Sequence, residues 1–155
     1  MARRSPAHVA PDQAAMRLAG ALLALGALTI AIPYLGHAIG LSVDVAGRIE
    51  VIDHVLPGAL VMAAGAGVLV RARRDVMRGR WPTLVGGGIS FLAGFWVLAT
   101  HVPLLADAAR GSAGWGAALW HFSTALPIIG VSFWLVLDAS EREREPTEDV
   151  SPRRR

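Results

Sequence analysis

The chain has 155 residues, 54% of them hydrophobic, with a mean hydropathy of +0.47 and no cysteine. That length suits one compact unit, and the missing thiols exclude disulfides, thiolate metal sites, iron–sulfur clusters and cysteine nucleophiles. All 15 basic residues are Arg and the pI is about 10.9, but these arginines flank apolar segments instead of forming a stripe with interleaved aromatics, so no nucleic-acid partner is expected.

Residues 1–16 read as a polar, disordered tail carrying Arg3 and Arg4. The first apolar block covers about residues 17–39. Its run from Leu18 to Ile32 and onward is long for a signal peptide, and no A-x-A cleavage site follows it, so it reads as a retained span. A polar connector from Gly40 to Arg48 leads to the second block, about residues 49–70, whose first turns hold Glu50, Asp53 and His54. Next comes a strongly basic loop, Arg71 to Arg80. Trp81-Pro82 opens the third block, about residues 83–106; Pro fits there because the first N–H groups of a helix lack partners anyway. The connector from Asp107 to Gly114 leads to the fourth block, about residues 115–137. Residues 138–155 form a charged tail with too few apolar side chains to fold alone.

At about 1.5 Å per residue, a block of about 22 residues spans roughly 33 Å, which matches a hydrocarbon layer of about 30 Å. The blocks lack both the polar stripe of a water-soluble helix and the alternation of a barrel strand. Lipid offers the backbone no partners, so each span must be helical. The predicted fold is an all-α, integral membrane four-helix transmembrane bundle. All but two of the arginines fall in the N-terminal segment, the middle loop and the C-terminal tail; the exceptions are Arg48 and Arg110. The positive-inside rule therefore predicts both termini in the cytoplasm. An Arg-only, Gly- and Ala-rich composition suggests a GC-rich bacterial genome, and hence a bacterial plasma membrane.

The two halves suggest duplicated helical hairpins in parallel orientation, anchored by His37 and His101, Gly47 and Gly111, and His54 and His121. Small residues at four-residue spacing mark expected packing ridges: Ala59, Ala63 and Gly67 on the second helix, Gly86, Ser90 and Gly94 on the third, and Gly36 and Gly40 at the end of the first. The Gly86-Gly87-Gly88 run lacks the Lys-Ser/Thr of a phosphate loop and lies inside an apolar span.

His37, His54, His101 and His121 gather toward one face of the membrane, one on each helix. Ionisable groups inside a span point by default into the bundle or toward water. Two of the imidazoles would suit a haem b as axial ligands. His54, Glu50 and His121 would suit a divalent metal such as zinc or copper. A protonation switch is a third reading; the bland alternative is that interfacial histidines hydrogen-bond to loops or headgroups. Ser123 lies two residues from His121 and faces away from it on a helix, so no nucleophile–base pair forms. No catalytic motif is present. The expected function is a non-enzymatic accessory or scaffold subunit, with the lipid bilayer, other membrane subunits or a second copy of the chain as partners. A haem- or metal-binding membrane protein is the alternative.

Overall fold

A computed structural model describes residues 12–41, 51–74 and 81–141; Gly47 and Glu50 lie outside this set. Most of the described residues are helical, and none of them lies in a strand. Helix α1 covers Gln13–Ala38, α2 Leu56–Arg74, α3 Trp81–Ala109, α4 Trp115–Phe122 and α5 Ala125–Glu141. A wide π-helical turn, Val51–Val55, leads directly into α2. Joined in this way, the described residues hold four helices long and apolar enough to cross a membrane: Gln13–Ala38, Val51–Arg73, Trp81–Ala109 and Trp115–Glu141. Consecutive spans pack side by side, and the fourth closes against α1.

The helices run longer than their apolar cores. The first begins at Gln13, inside the stretch expected as a tail, because the Asp12 side chain accepts the Ala15 N–H at 3.0 Å and caps the first turn. At the other end of α1, Gly40 takes φ +73° and the Leu41 N–H reaches back to the Gly36 carbonyl at 2.8 Å. Helix α3 ends in the same way, with Gly111 at φ +77° and the Ser112 N–H on the Asp107 carbonyl at 3.0 Å. A side chain at either glycine would be strained, which is why Gly closes both helices. Gly40 and Gly111 thus close their helices in the same way.

Proline shapes the other two helix starts. Pro57 cannot donate to the Asp53 carbonyl, and its ring crowds that oxygen; the chain widens into the π turn at that point. Pro127 stands in the same relation to Ser123, and the fourth span breaks at Ser123–Thr124. The exposed Ser123 hydroxyl then donates to the Trp120 carbonyl at 2.7 Å.

Close contact holds the spans together. Gly26 of α1 and Gly58 of α2 cross backbone to backbone: a Cβ on either would lie 2.7 Å from the carbonyl oxygen of the other. Gly86 meets Val68, Gly87 meets Val136 and Gly94 meets Ile128, so the expected ridge on α3 is a real contact surface. The expected ridge on α2 is not. Ala59, Ala63 and Gly67 are exposed, and the packed face runs one residue out of phase through Gly58, Val61, Gly65 and Val68. Gly36 lies under the Trp120 ring, whose Nε1–H donates to the Ile32 carbonyl at 3.0 Å. Trp120→Phe keeps an aromatic ring but loses this bond and the pyrrole half of the indole over Gly36. It should destabilise the bundle by about 1 kcal/mol in a detergent unfolding titration.

The interior combines an apolar core, including Leu22, Val61, Ile128 and Leu135, with several polar side chains, while the exterior is apolar. Thr29, Ser90, Thr124, Ser132 and three histidines are buried, while Leu92, Phe95, Trp96, Leu126, Phe133 and Trp134 are exposed. A contiguous apolar exterior is unfavourable in water and suits a lipid environment, consistent with a membrane protein.

Candidate metal centre

His54, His101 and His121 come from three different spans and meet in the bundle interior. Their exposures are 3%, 6% and 3%. One ring nitrogen from each lies within 4.8 Å of the others. Ring centroids are 4.8 Å apart for His54 and His101, 5.2 Å for His54 and His121, and 5.9 Å for His101 and His121.

Each side chain is placed by a local feature. His54 rides on the π turn that Pro57 imposes, one helical turn ahead of the Gly58 crossing. That crossing draws the start of α2 tightly onto α1. His101 sits on the inward face of α3, continuing the line of Gly94 and Val97, and His121 ends α4 just before the Pro127 break. His101 lies eight residues before the end of α3 and His121 six after the start of α4. The cluster is therefore about 9–12 Å inside one end of the bundle.

Hydrogen bonding fixes one tautomer. The Val97 carbonyl can only accept, so His101 Nδ1 donates to it at 2.7 Å. The Thr100 hydroxyl stands 3.1 Å from the same nitrogen and also donates to the Val97 carbonyl. This leaves His101 Nε2 with the free lone pair, the usual arrangement of a metal-ligating histidine held by a carbonyl behind it.

The other two rings are under-used. His54 Nε2 and His121 Nδ1 face each other at 3.4 Å, long for a hydrogen bond. His54 Nδ1 is buried without a partner. Such an orphan costs about 1–3 kcal/mol. The facing distance has another meaning: two nitrogens bound to one tetrahedral zinc at about 2.0–2.1 Å stand about 3.4 Å apart. The third nitrogen must close in by roughly an ångström to complete such a set, given the 4.8 Å spread.

The same packing bears on haem. A bis-imidazole haem needs a flat slot between its two ligands. Here the three ring centroids form a compact triangle, with His54 against both other rings and His101 and His121 only 5.9 Å apart.

Of the residues singled out in the sequence, His54, His101 and His121 converge. His37 is exposed on α1 and stands apart from the cluster. Glu50 lies outside the described residues. His101 joins His54 and His121 in the cluster, where the sequence names His54, Glu50 and His121 for a metal and His101 among the four gathered histidines. Its signal was its place on the Gly86–Ser90–Gly94 face of α3. No family model matches the chain, and no curated protein or solved structure shows a significant match to it.

Proposed function

We propose that this protein is a four-span membrane protein that holds one divalent transition-metal ion, zinc or copper, through His54, His101 and His121. The observation that carries the reading is the meeting of three buried imidazoles from three spans within 4.8 Å of one another. Borderline metals favour an all-imidazole donor set, whereas calcium and magnesium want oxygen. Three protein ligands leave a fourth position for water or another small ligand. The ring packing favours an ion over haem b. An accessory or scaffold role had only missing features to recommend it; the triad is a positive one.

The protein lies in the bacterial plasma membrane with both termini and the Arg71–Arg80 loop in the cytoplasm, by the arginine distribution. The metal site then sits in the outer half of the bilayer. The matched glycine caps at Gly40 and Gly111 support a duplicated hairpin. The three ligands do not follow that symmetry, because one comes from the first hairpin and two from the second.

Zinc titration of the detergent-purified chain by calorimetry tests the reading. One saturable site per chain is expected. The absence of saturable zinc or copper binding would refute it. Orientation is tested separately: reporter fusions after Asp75 and after Arg110 should report opposite sides, with Asp75 cytoplasmic.

A further inference from the structure

A second feature lies on the outside of the bundle, at the end away from the histidines. A groove of about 420 Å³ runs between α2 and α3, walled by Ala63, Gly67, Val68, Val85, Gly86 and Ile89. That volume falls within the range of small-ligand sites, about 300–1,000 Å³. The groove exists because α2 presents small residues outward: a Cβ placed on Gly67 would meet nothing within 4 Å. Arg71, one turn beyond Gly67, lines the end of the groove together with Trp81. Arg71 is exposed, and among the described residues no carboxylate pairs with it.

We propose that this groove is a binding site for an anionic phospholipid, with an acyl chain along Ala63 and Gly67 and the phosphate on the Arg71 guanidinium. An apolar trough ending in an exposed guanidinium is complementary to a molecule with a hydrocarbon tail and an anionic head. The trough opens sideways onto the apolar exterior of the bundle, where lipid is the neighbour. Guanidinium binds phosphate through paired N–H donors, and Trp81 belongs to a residue type that favours headgroup depth. The inference is independent of the metal site and shares with it only the placement of the chain in a bilayer.

The test uses the full chain in phosphatidylcholine nanodiscs containing trace spin-labelled lipid. Electron paramagnetic resonance then reads the immobilised fraction. Labelled phosphatidylglycerol should be immobilised about fivefold more than labelled phosphatidylcholine, the effect of roughly one arginine–headgroup contact. Arg71→Gln should bring the ratio close to one, and Gly67→Leu should release the immobilised chain by filling the trough. Both variants should keep the wild-type circular dichroism, because neither position is packed. Excess soluble glycerol phosphate should leave the immobilised lipid in place. Equal immobilisation of both lipids in the wild type would overturn the proposal, as would unchanged selectivity in Arg71→Gln or displacement by glycerol phosphate. Chain-to-chain disulfide formation in a Gly67→Cys variant, without lipid selectivity in the wild type, would assign the groove to a second copy instead and also overturn it.

Discussion

Replacing His54, His101 or His121 with Ala should each weaken zinc binding by at least about 100-fold, with His37→Ala unchanged. Loss of a supporting group behind a ligand already costs 10–100-fold in metal affinity, so loss of a ligand sets a higher floor. The three effects should be similar, because each ring supplies one of the three donors that lie within 4.8 Å of one another among the described residues. Thr100→Val provides the graded comparison. It removes the hydroxyl 3.1 Å from His101 Nδ1 and keeps the 2.7 Å bond to Val97, so its loss should stay below about 10-fold. Calorimetric titration of each variant checks the series. A His54→Ala protein that bound zinc as tightly as the wild type would remove His54 from the site. An equal effect of His37→Ala would indicate a different cluster.

The largest stability effect should come from Gly26→Val or Gly58→Val. At both positions the added Cβ meets a backbone oxygen at 2.7 Å. A flexible side chain could swing aside, but backbone can yield only by separating α1 from α2. Overpacking a tight contact costs about 1–3 kcal/mol where side chains can adjust and more where they cannot. We expect each variant to lose more than about 3 kcal/mol in a detergent unfolding titration followed by circular dichroism. Gly58→Val should lose zinc as well, because His54 is carried on the turn just before the crossing. Gly67→Val is the internal control. It places the same side chain on the same helix in open space and should stay within about 0.5 kcal/mol of the wild type. Equal effects at positions 58 and 67 would mean that helix propensity, not the crossing, governs stability.

The spans themselves were legible because charge is the one thing hydrocarbon strongly rejects, and here the charges sit between the blocks. Their ends were less so. Gln13 joins α1 through the Asp12 cap, and α3 runs on to Ala109 past the apolar run. Which face of a helix packs inward was harder still. In a water-soluble helix polarity marks the exposed side, but here both faces of α2 are apolar. The choice between the Ala59–Ala63–Gly67 row and the Gly58–Val61–Gly65 row depends on where Gly26 lies on the neighbouring helix. Sequence spacing within α2 does not carry that information.

The histidines follow the same logic. Depth alone grouped four of them, but facing selects three. His101 lies two residues before Pro103, and His37 lies four residues after Pro33. If the two prolines correspond, that six-residue offset turns His37 about 240° around its helix relative to His101, which agrees with its exposed position. The bond from His101 to the Val97 carbonyl depends on a rotamer, and no pattern of residue types encodes it. The π turn was foreseeable in part: Pro57 falls four residues after Asp53, where the missing donor must disturb the first turn.

Cobalt(II) absorption spectroscopy of the purified chain tests the metal site most directly. One equivalent of Co²⁺ should give the intense visible bands of a four-coordinate, nitrogen-rich site. Those bands should be displaced by one equivalent of Zn²⁺ and be absent from His121→Ala. A faint pink spectrum, identical to that of hexa-aqua cobalt in the same detergent buffer, would show that the three imidazoles hold no ion.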